Sequence, residues 1–92
     1  MSEIEVGGDE VSRTAKALAS KTRWEIMKLL QKKATDVSRI AETLNQTEAN
    51  VSAQVKILEK VGLVKAHYEP GAHGVRKICE PAVEKITIRF RQ

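Results

Sequence analysis

Apolar residues recur along this chain with two different periods, and the switch between them divides it. Up to Gly62 the spacing is that of helices. Val11, Ala15, Leu18 and Ala19 fall at i, i+4, i+7 and i+8, the stripe of a short amphipathic helix. Ser20 stands where an N-cap is needed, and from Lys21 to about Lys33 a second helix carries a wide apolar face of Trp24, Ile26, Met27, Leu29 and Leu30. A single aromatic on such a face belongs in a core, so Trp24 is expected to be buried. Thr35 is expected to cap a brief third helix, with Asp36 in its first turn and Val37, Ile40, Ala41 and Leu44 as its buried stripe. Asn45-Gln46 then makes a turn. Thr47 is the next N-cap, Glu48 puts an acid in the first turn, and Val51, Val55 and Leu58 form the inner side of a fourth helix that stops at Gly62.

Beyond Gly62 the period becomes two. Leu63 to Tyr68 and Val75 to Cys79 are strand-compatible runs separated by EPGAHG, which holds the Pro and Gly residues of a hairpin turn, and Pro81 interrupts the second run. Ile86, Ile88 and Phe90 alternate strictly with Lys85, Thr87, Arg89 and Arg91, so the chain closes on a strand. That strand either joins the hairpin as an ordinary third strand, the preferred expectation, or pairs across a two-fold axis. Residues 1–10 show no periodicity and contain Gly7-Gly8. They are read as a mobile acidic arm, with residues 11–92 as a single domain.

Composition narrows the choice. At 41% apolar and 30% charged the chain is globular, but Trp24, Tyr68 and Phe90 are its only aromatic residues, so the core is small and aliphatic. A chain of this length excludes most large enzyme scaffolds and makes oligomer formation a reasonable expectation. The formal charge of +4 conceals an asymmetry: residues 1–10 hold four acids and no Lys or Arg, while the rest carries 16 basic and 8 acidic side chains, a net of +8. Such a body attracts polyanions, nucleic acid before acidic membrane. There is no run of about 18 apolar residues and no signal-peptide pattern, so a cytoplasmic protein without membrane association is expected. Cys79 is the only cysteine; it either bridges two chains or, as expected in a reducing cytosol, packs as a small hydrophobe.

Four helices followed by a hairpin is the element order of a winged helix-turn-helix, an α+β fold that is mainly α, here with a C-terminal strand added. In that arrangement the helix before the hairpin, about residues 47–61, enters the major groove of duplex DNA and the wing, about 63–79, lies beside it. At 100° per residue with Val51 at zero, Ala49, Asn50, Ala53, Lys56, Ile57 and Lys60 lie between about 140° and 260°, opposite the buried side. Small side chains there let the backbone approach bases and phosphates. Asn50 suits an adenine edge, Lys56 and Lys60 suit phosphate, and Thr47 with the helix N-terminus suits another phosphate.

The segment ALASKTRWEIMKLL resembles the opening of ArsR-type winged-helix repressors, and IAETLNQTEANVSAQVKILEKVGLV resembles their helix-turn-helix. With the wing, the resemblance covers roughly residues 15 to 80. It implies a DNA-binding transcription regulator acting as a homodimer, with Thr47, Glu48, Asn50, Ser52, Ala53 and Lys56 at the major groove and Arg76 and Lys77 of the wing by a minor groove or phosphates. Members often carry Arg where this chain has Ala53 and His where it has Gln54, so base reading through Ala53 is reduced to, at most, a thymine methyl. Metal-sensing members place a Cys-x-Cys pair where this chain has Asp36 and Ser38, so the resemblance is to a small archaeal-like or virus- or plasmid-like form without that site. His67, His73 and Cys79 lack chelate spacing; no metal and no cofactor is expected. No nucleophile has a base in a recognisable motif and no phosphate loop is present, so no enzyme is expected. Two alternatives stand beside the regulator: an architectural protein binding DNA with little sequence preference, and a winged helix used for protein interaction through its last strand.

Overall fold

The computed structural model describes residues 2–91. In chain order the elements are β1 (Glu3–Val6), α1 (Asp9–Leu18), α2 (Lys21–Lys32), β2 (Thr35–Asp36), α3 (Val37–Leu44), α4 (Glu48–Lys60), β3 (Val64–Gly71), β4 (Gly74–Pro81) and β5 (Lys85–Ile88). They form four helices and two small sheets, one ordered β2-β4-β3 and antiparallel, the other a parallel pair of β1 and β5. The result is a winged helix-turn-helix with an extra two-stranded layer.

The core is aliphatic. Ile26, Leu30, Ile40, Val51, Val55, Leu58, Leu63 and Cys79 are fully buried, drawing on α2, α3, α4 and the base of the wing. The inner side of α4 read from its spacing is therefore the side that packs. The helix ends are also local in origin. Ser20 Oγ accepts from Arg23 N at 3.2 Å, and Thr47 Oγ1 accepts from Asn50 N at 3.0 Å, each satisfying a donor that the first turn leaves unpaired. Gly62, at φ +78°, ends α4 in the left-handed conformation that a side chain disfavours. The cap of α3 is Asp36 rather than Thr35: its carboxylate accepts from Arg39 N at 2.8 Å, because Thr35 and Asp36 have been drawn into a strand against Cys79 and Ile78.

Four other expectations are corrected. On α1 the buried residues are Thr14 and Ala17, with Val11 and Leu18 half-buried beside them, while Ala15 and Ala19 are exposed. An alanine adds too little apolar surface to fix the rotation of a helix, whereas Val11 and Leu18 flank a face centred on residue 14. Trp24 is 52% exposed, because Ile26, Met27 and Leu30 set the buried side of α2 and leave residue 24 at its edge. The acidic segment is no free arm, since Glu3–Val6 is a strand. Finally, β5 does not join the wing; β2 is the wing's third strand, and β5 pairs with β1 in the register Ile4 with Ile86 and Val6 with Ile88.

Two features turn the chain away from the wing after Pro81. Pro81 has no N–H to extend the ladder. Val83 is then buried and its carbonyl accepts from Gln31 Nε2 at 3.0 Å, which anchors the chain on α2 and directs Lys85 onward beside β1. The β1–β5 layer has one apolar face, Ile4, Val6, Ile86 and Ile88, and one charged face. On the charged face Glu3 meets Lys85 at 4.0 Å and accepts from Thr87 Oγ1 at 2.7 Å, while Glu5 pairs with Arg89. Exposed pairs of this kind add little stability, but acids on β1 and bases on β5 attract rather than repel.

Cys79 lies at the base of the wing, fully buried and unbridged. Burial pushes its thiol up to about 11, beyond the reach of neutral pH. The native protein is accordingly expected to resist a disulfide-exchange reagent such as Ellman's reagent at pH 8, with one thiol per chain reacting once denaturant is added. Rapid titration of the folded chain would mean that the base of the wing opens readily.

Candidate nucleic-acid interface

The helix-turn-helix is joined by three residues. Asn45, at φ +55°, ends α3 in a left-handed cap, Gln46 N donates back to Ala41 O at 2.9 Å, and Thr47 starts α4. The Ser38 hydroxyl donates to the Glu48 carboxylate, tying the first turns of α3 and α4 together. With Val51, Val55 and Leu58 inward, α4 presents Ala49, Ala53 and Lys56 to solvent. Lys56 forms no ion pair among the described residues, so its charge is available.

Between this face and the wing lies a trough of about 870 Å³. It gathers Glu48, Ser52, Lys56, Arg76 and Lys77 from the expected set. Thr47 and Ala53 are exposed on the adjoining outer strip of α4. Lys60 is not brought to the trough; it lines a separate groove between β1, α1 and the end of α4.

Asn50 is half-buried and already engaged. Its Nδ2 donates to Gln46 Oε1 at 2.8 Å, and its Oδ1 accepts from Gln54 Nε2 at 3.1 Å. The chain of bonds continues: Arg23 donates from one guanidinium nitrogen to Gln54 Oε1 at 2.5 Å and from Nε to Ala17 O at 2.5 Å. An amide has two donor hydrogens and two acceptor lone pairs, so one of each remains free on Asn50 for a base edge. The network thus holds the amide in place without consuming it, and it ties the outer side of α4 to α1 and α2.

The two wing cations differ from each other. Arg76 is 47% exposed and holds Asp36 at 3.1 Å and Glu69 at 3.4 Å, bracing the wing against β2. Lys77 is only 13% exposed, and its Nζ meets Glu59 Oε1 of α4 at 2.5 Å. Burial pulls the Lys77 pKa down, but its hydrogen bond and ion pair with Glu59 outweigh that and hold it above the ordinary lysine value. Lys77 is therefore a strut between wing and helix. On the wing's other face the His67 ring, 2.7 Å from the Glu69 carboxylate, together with Arg76, lowers the Glu69 pKa.

Sequence reasoning missed Tyr68, 67% exposed, and Val75, 73% exposed, which line the trough together with His73. A signal was present. Apolar residues flank a turn too far from the core to be buried, and the hairpin runs further than its turn composition suggested, with Pro70 opposite Val75 and only Ala72-His73 at the tip. Pro70 is tolerated because β3 is an edge strand, where a missing N–H breaks no inner ladder.

The element order and sheet topology define a winged helix-turn-helix domain. The family model for bacterial regulatory proteins of the arsR family matches residues 20–66, from the cap of α2 into β3. The chain belongs to that family. It is similar to the homodimeric winged helix-turn-helix DNA-binding domain of a possible ArsR-family transcriptional regulator from Mycobacterium bovis, at TM-score 0.70 and 32% identity over 80% of this chain and 65% of that one. A transcriptional regulator homologue from Pyrococcus horikoshii superposes at TM-score 0.63 with 27% identity, covering 80% and 76%. Reduced HlyU from Vibrio cholerae shares the fold at TM-score 0.70 with 19% identity, covering 79% and 73%. The chain thus spans about two thirds to three quarters of the length of these structures. No curated protein sequence matches it.

Where metal-sensing relatives are expected to hold a thiolate pair, this chain uses Asp36 to cap α3 and grip Arg76, and Ser38 to bind Glu48. Both positions serve to join elements. Among the described residues no cluster of three or more His, Cys, Asp or Glu could hold a metal ion.

Proposed function

We propose that this chain binds duplex DNA as a homodimer, with α4 in the major groove and the wing beside it. The observation that carries this reading is the exposed strip of Ala49 and Ala53 with Lys56, which forms no ion pair among the described residues, set between the N-terminus of a capped helix and a wing in an arsR-family fold. Ala49 and Ala53 permit close approach, and Asn50 reads one base edge. Lys56, the Thr47 hydroxyl and Ser52 hold phosphates. Glu48 orients the turn through Ser38 and disfavours contacts with acidic groups beside it. Arg76 reaches the backbone beyond the groove, and Lys77 positions the wing. Lys60 contributes long-range attraction. The role is one of binding without a catalytic step, and it places the protein in the cytoplasm with the DNA; no helix among the described residues is long and apolar enough to cross a membrane.

Selection of bound duplexes from a random pool tests the reading. An inverted repeat with half-sites about 34 Å apart, one helical turn, is expected. Affinity for the selected site should fall steeply with salt, and Lys56→Ala should weaken all duplexes alike and reduce the slope of log K against log salt by about 0.9 for each phosphate no longer neutralised. Equal affinity for selected and random duplexes would favour the architectural alternative, to which the featureless Ala49–Ala53 strip lends some weight. Absence of binding at low salt would defeat both.

A further inference from the structure

Arg23 is half-buried and forms no ion pair among the described residues. Each of its three guanidinium nitrogens instead meets a neutral acceptor. Nε donates to Ala17 O at 2.5 Å and one terminal nitrogen donates to Lys16 O at 3.1 Å, both carbonyls of the last turn of α1, while the other terminal nitrogen donates to Gln54 Oε1 at 2.5 Å. Main-chain carbonyls cannot turn over, so the guanidinium is fixed and its last donor is aimed at α4. From Gln54 the bonds run along one side of that helix in steps of four residues, to Asn50 and on to Gln46.

The direction of this chain of bonds has one source. An Asn or Gln amide has nearly the same outline with its oxygen and nitrogen exchanged, and its partners decide between the two orientations. Arginine donates and never accepts. It therefore requires the oxygen of Gln54, which turns Gln54 Nε2 toward Asn50 to donate to Oδ1 at 3.1 Å, and this in turn sets Asn50 Nδ2 toward Gln46, where it donates to Oε1 at 2.8 Å. Asn50 thus holds its nitrogen toward the start of α4 and its oxygen toward the end. Reversing the chain would face donor against donor at Arg23. The half-burial of Arg23, Asn50 and Gln54 also limits the competition from water at these bonds.

We infer that Arg23, acting through Gln54, is a positioning residue for base recognition: it fixes which way round the Asn50 amide offers its remaining donor and acceptor, and so which base pair Asn50 prefers. This rests on the DNA-binding reading above, with α4 in the major groove. Base pairs there differ in the order of their donors and acceptors, so an amide held one way round discriminates among them and an amide free to turn does not. Part of the base preference is thereby set on α2, outside the recognition helix.

Affinities of the full chain for the selected duplex, and for duplexes altered at single base pairs, test it. Asn50→Ala should abolish preference at one base pair of each half-site, a preference of about tenfold or more, and so locate the position. Arg23→Met, similar in length and without a donor, should reduce preference at that same pair to about twofold or less and leave the other positions as in wild type. Gln54→Glu still accepts from Arg23 but offers Asn50 acceptors alone, so the Asn50 amide must turn its nitrogen toward residue 54. The preferred base at that pair should then change rather than fade, while the added charge weakens all duplexes alike. If Arg23→Met does not fold, Gln54→Glu decides alone. Preference unchanged in these variants would overturn the inference and leave DNA binding intact. So would an Arg23→Met loss spread evenly over every position, the result of a merely structural arginine, or wild-type preference throughout in Asn50→Ala. A wild-type chain that binds no duplex at low salt would overturn both the inference and the reading beneath it.

Discussion

Ala53→Glu is expected to reduce affinity for any duplex by a hundredfold or more while leaving the melting temperature almost unchanged. Residue 53 is exposed on the outer strip of α4, opposite the buried Val51, Val55 and Leu58. In the proposed complex it lies where the helix comes closest to DNA. A carboxylate there meets the negative potential of the groove in a site short of water, and like-charge juxtaposition costs about 3 kcal/mol or more, each 1.4 kcal/mol being tenfold. The new acid also stands three residues before Lys56, close enough to draw its ammonium away from phosphate. That same pairing keeps the helix stable, so the loss is one of binding alone. Ala53→Gln, of similar size and neutral, separates charge from bulk and should lose far less. Fluorescence anisotropy on a labelled duplex, with thermal melting as the fold control, checks the pair. Unchanged affinity for Ala53→Glu would mean that this side of α4 does not face DNA.

The orientation of α4 was legible from three residues because Val51, Val55 and Leu58 are branched and bulky, and their spacing leaves one consistent rotation. Its caps were legible for a related reason: Thr47 and Gly62 act on the backbone within a few residues of themselves. α1 was misread because its stripe leaned on Ala15 and Ala19, which are as content in water as in a core. The pairing of β1 with β5 was the least legible feature, since it joins residues more than eighty positions apart. Yet the alternation of Glu3 and Glu5 with Ile4 and Val6 mirrors that of Lys85, Thr87 and Arg89 with Ile86 and Ile88, with opposite charge. That complementarity is present in the sequence, but the nearby glycines and the high density of acids point to an unstructured arm instead.

At the candidate interface the difference between charge and availability was the part hidden from sequence. Lys56 and Lys77 look alike as letters. One is exposed and unpaired among the described residues, whereas the other is clamped to Glu59 beneath the wing. Lys60 shares the outer angular range of α4 but sits a turn beyond Lys56, where the helix has passed from the wing's side to that of α1. The +8 of the body is therefore divided: part faces the trough, and part holds elements together.

Leu58→Ala should be the most damaging single truncation, costing about 3–5 kcal/mol, the range of buried leucines whose cavity cannot collapse. Leu58 is fully buried among Val51, Val55, Ile26 and Leu63, and its carbonyl also accepts from Leu63 N at 3.0 Å where the chain enters the wing. A domain of this size is stable by about 5–14 kcal/mol in all, so the loss is about a fifth of the total or more. It corresponds to a fall in melting temperature of about 15–30 °C. The neighbouring Ile57→Ala offers the contrast: Ile57 is 38% exposed, has less area to lose and should cost under about 1.5 kcal/mol. Thermal denaturation followed by circular dichroism distinguishes the two. A larger loss for Ile57 than for Leu58 would reverse the rotation of α4, and with it the face offered to DNA. The stability measurement therefore tests the binding surface from its hidden side, because on one helix the residues that must be dry determine which residues are free to touch a ligand.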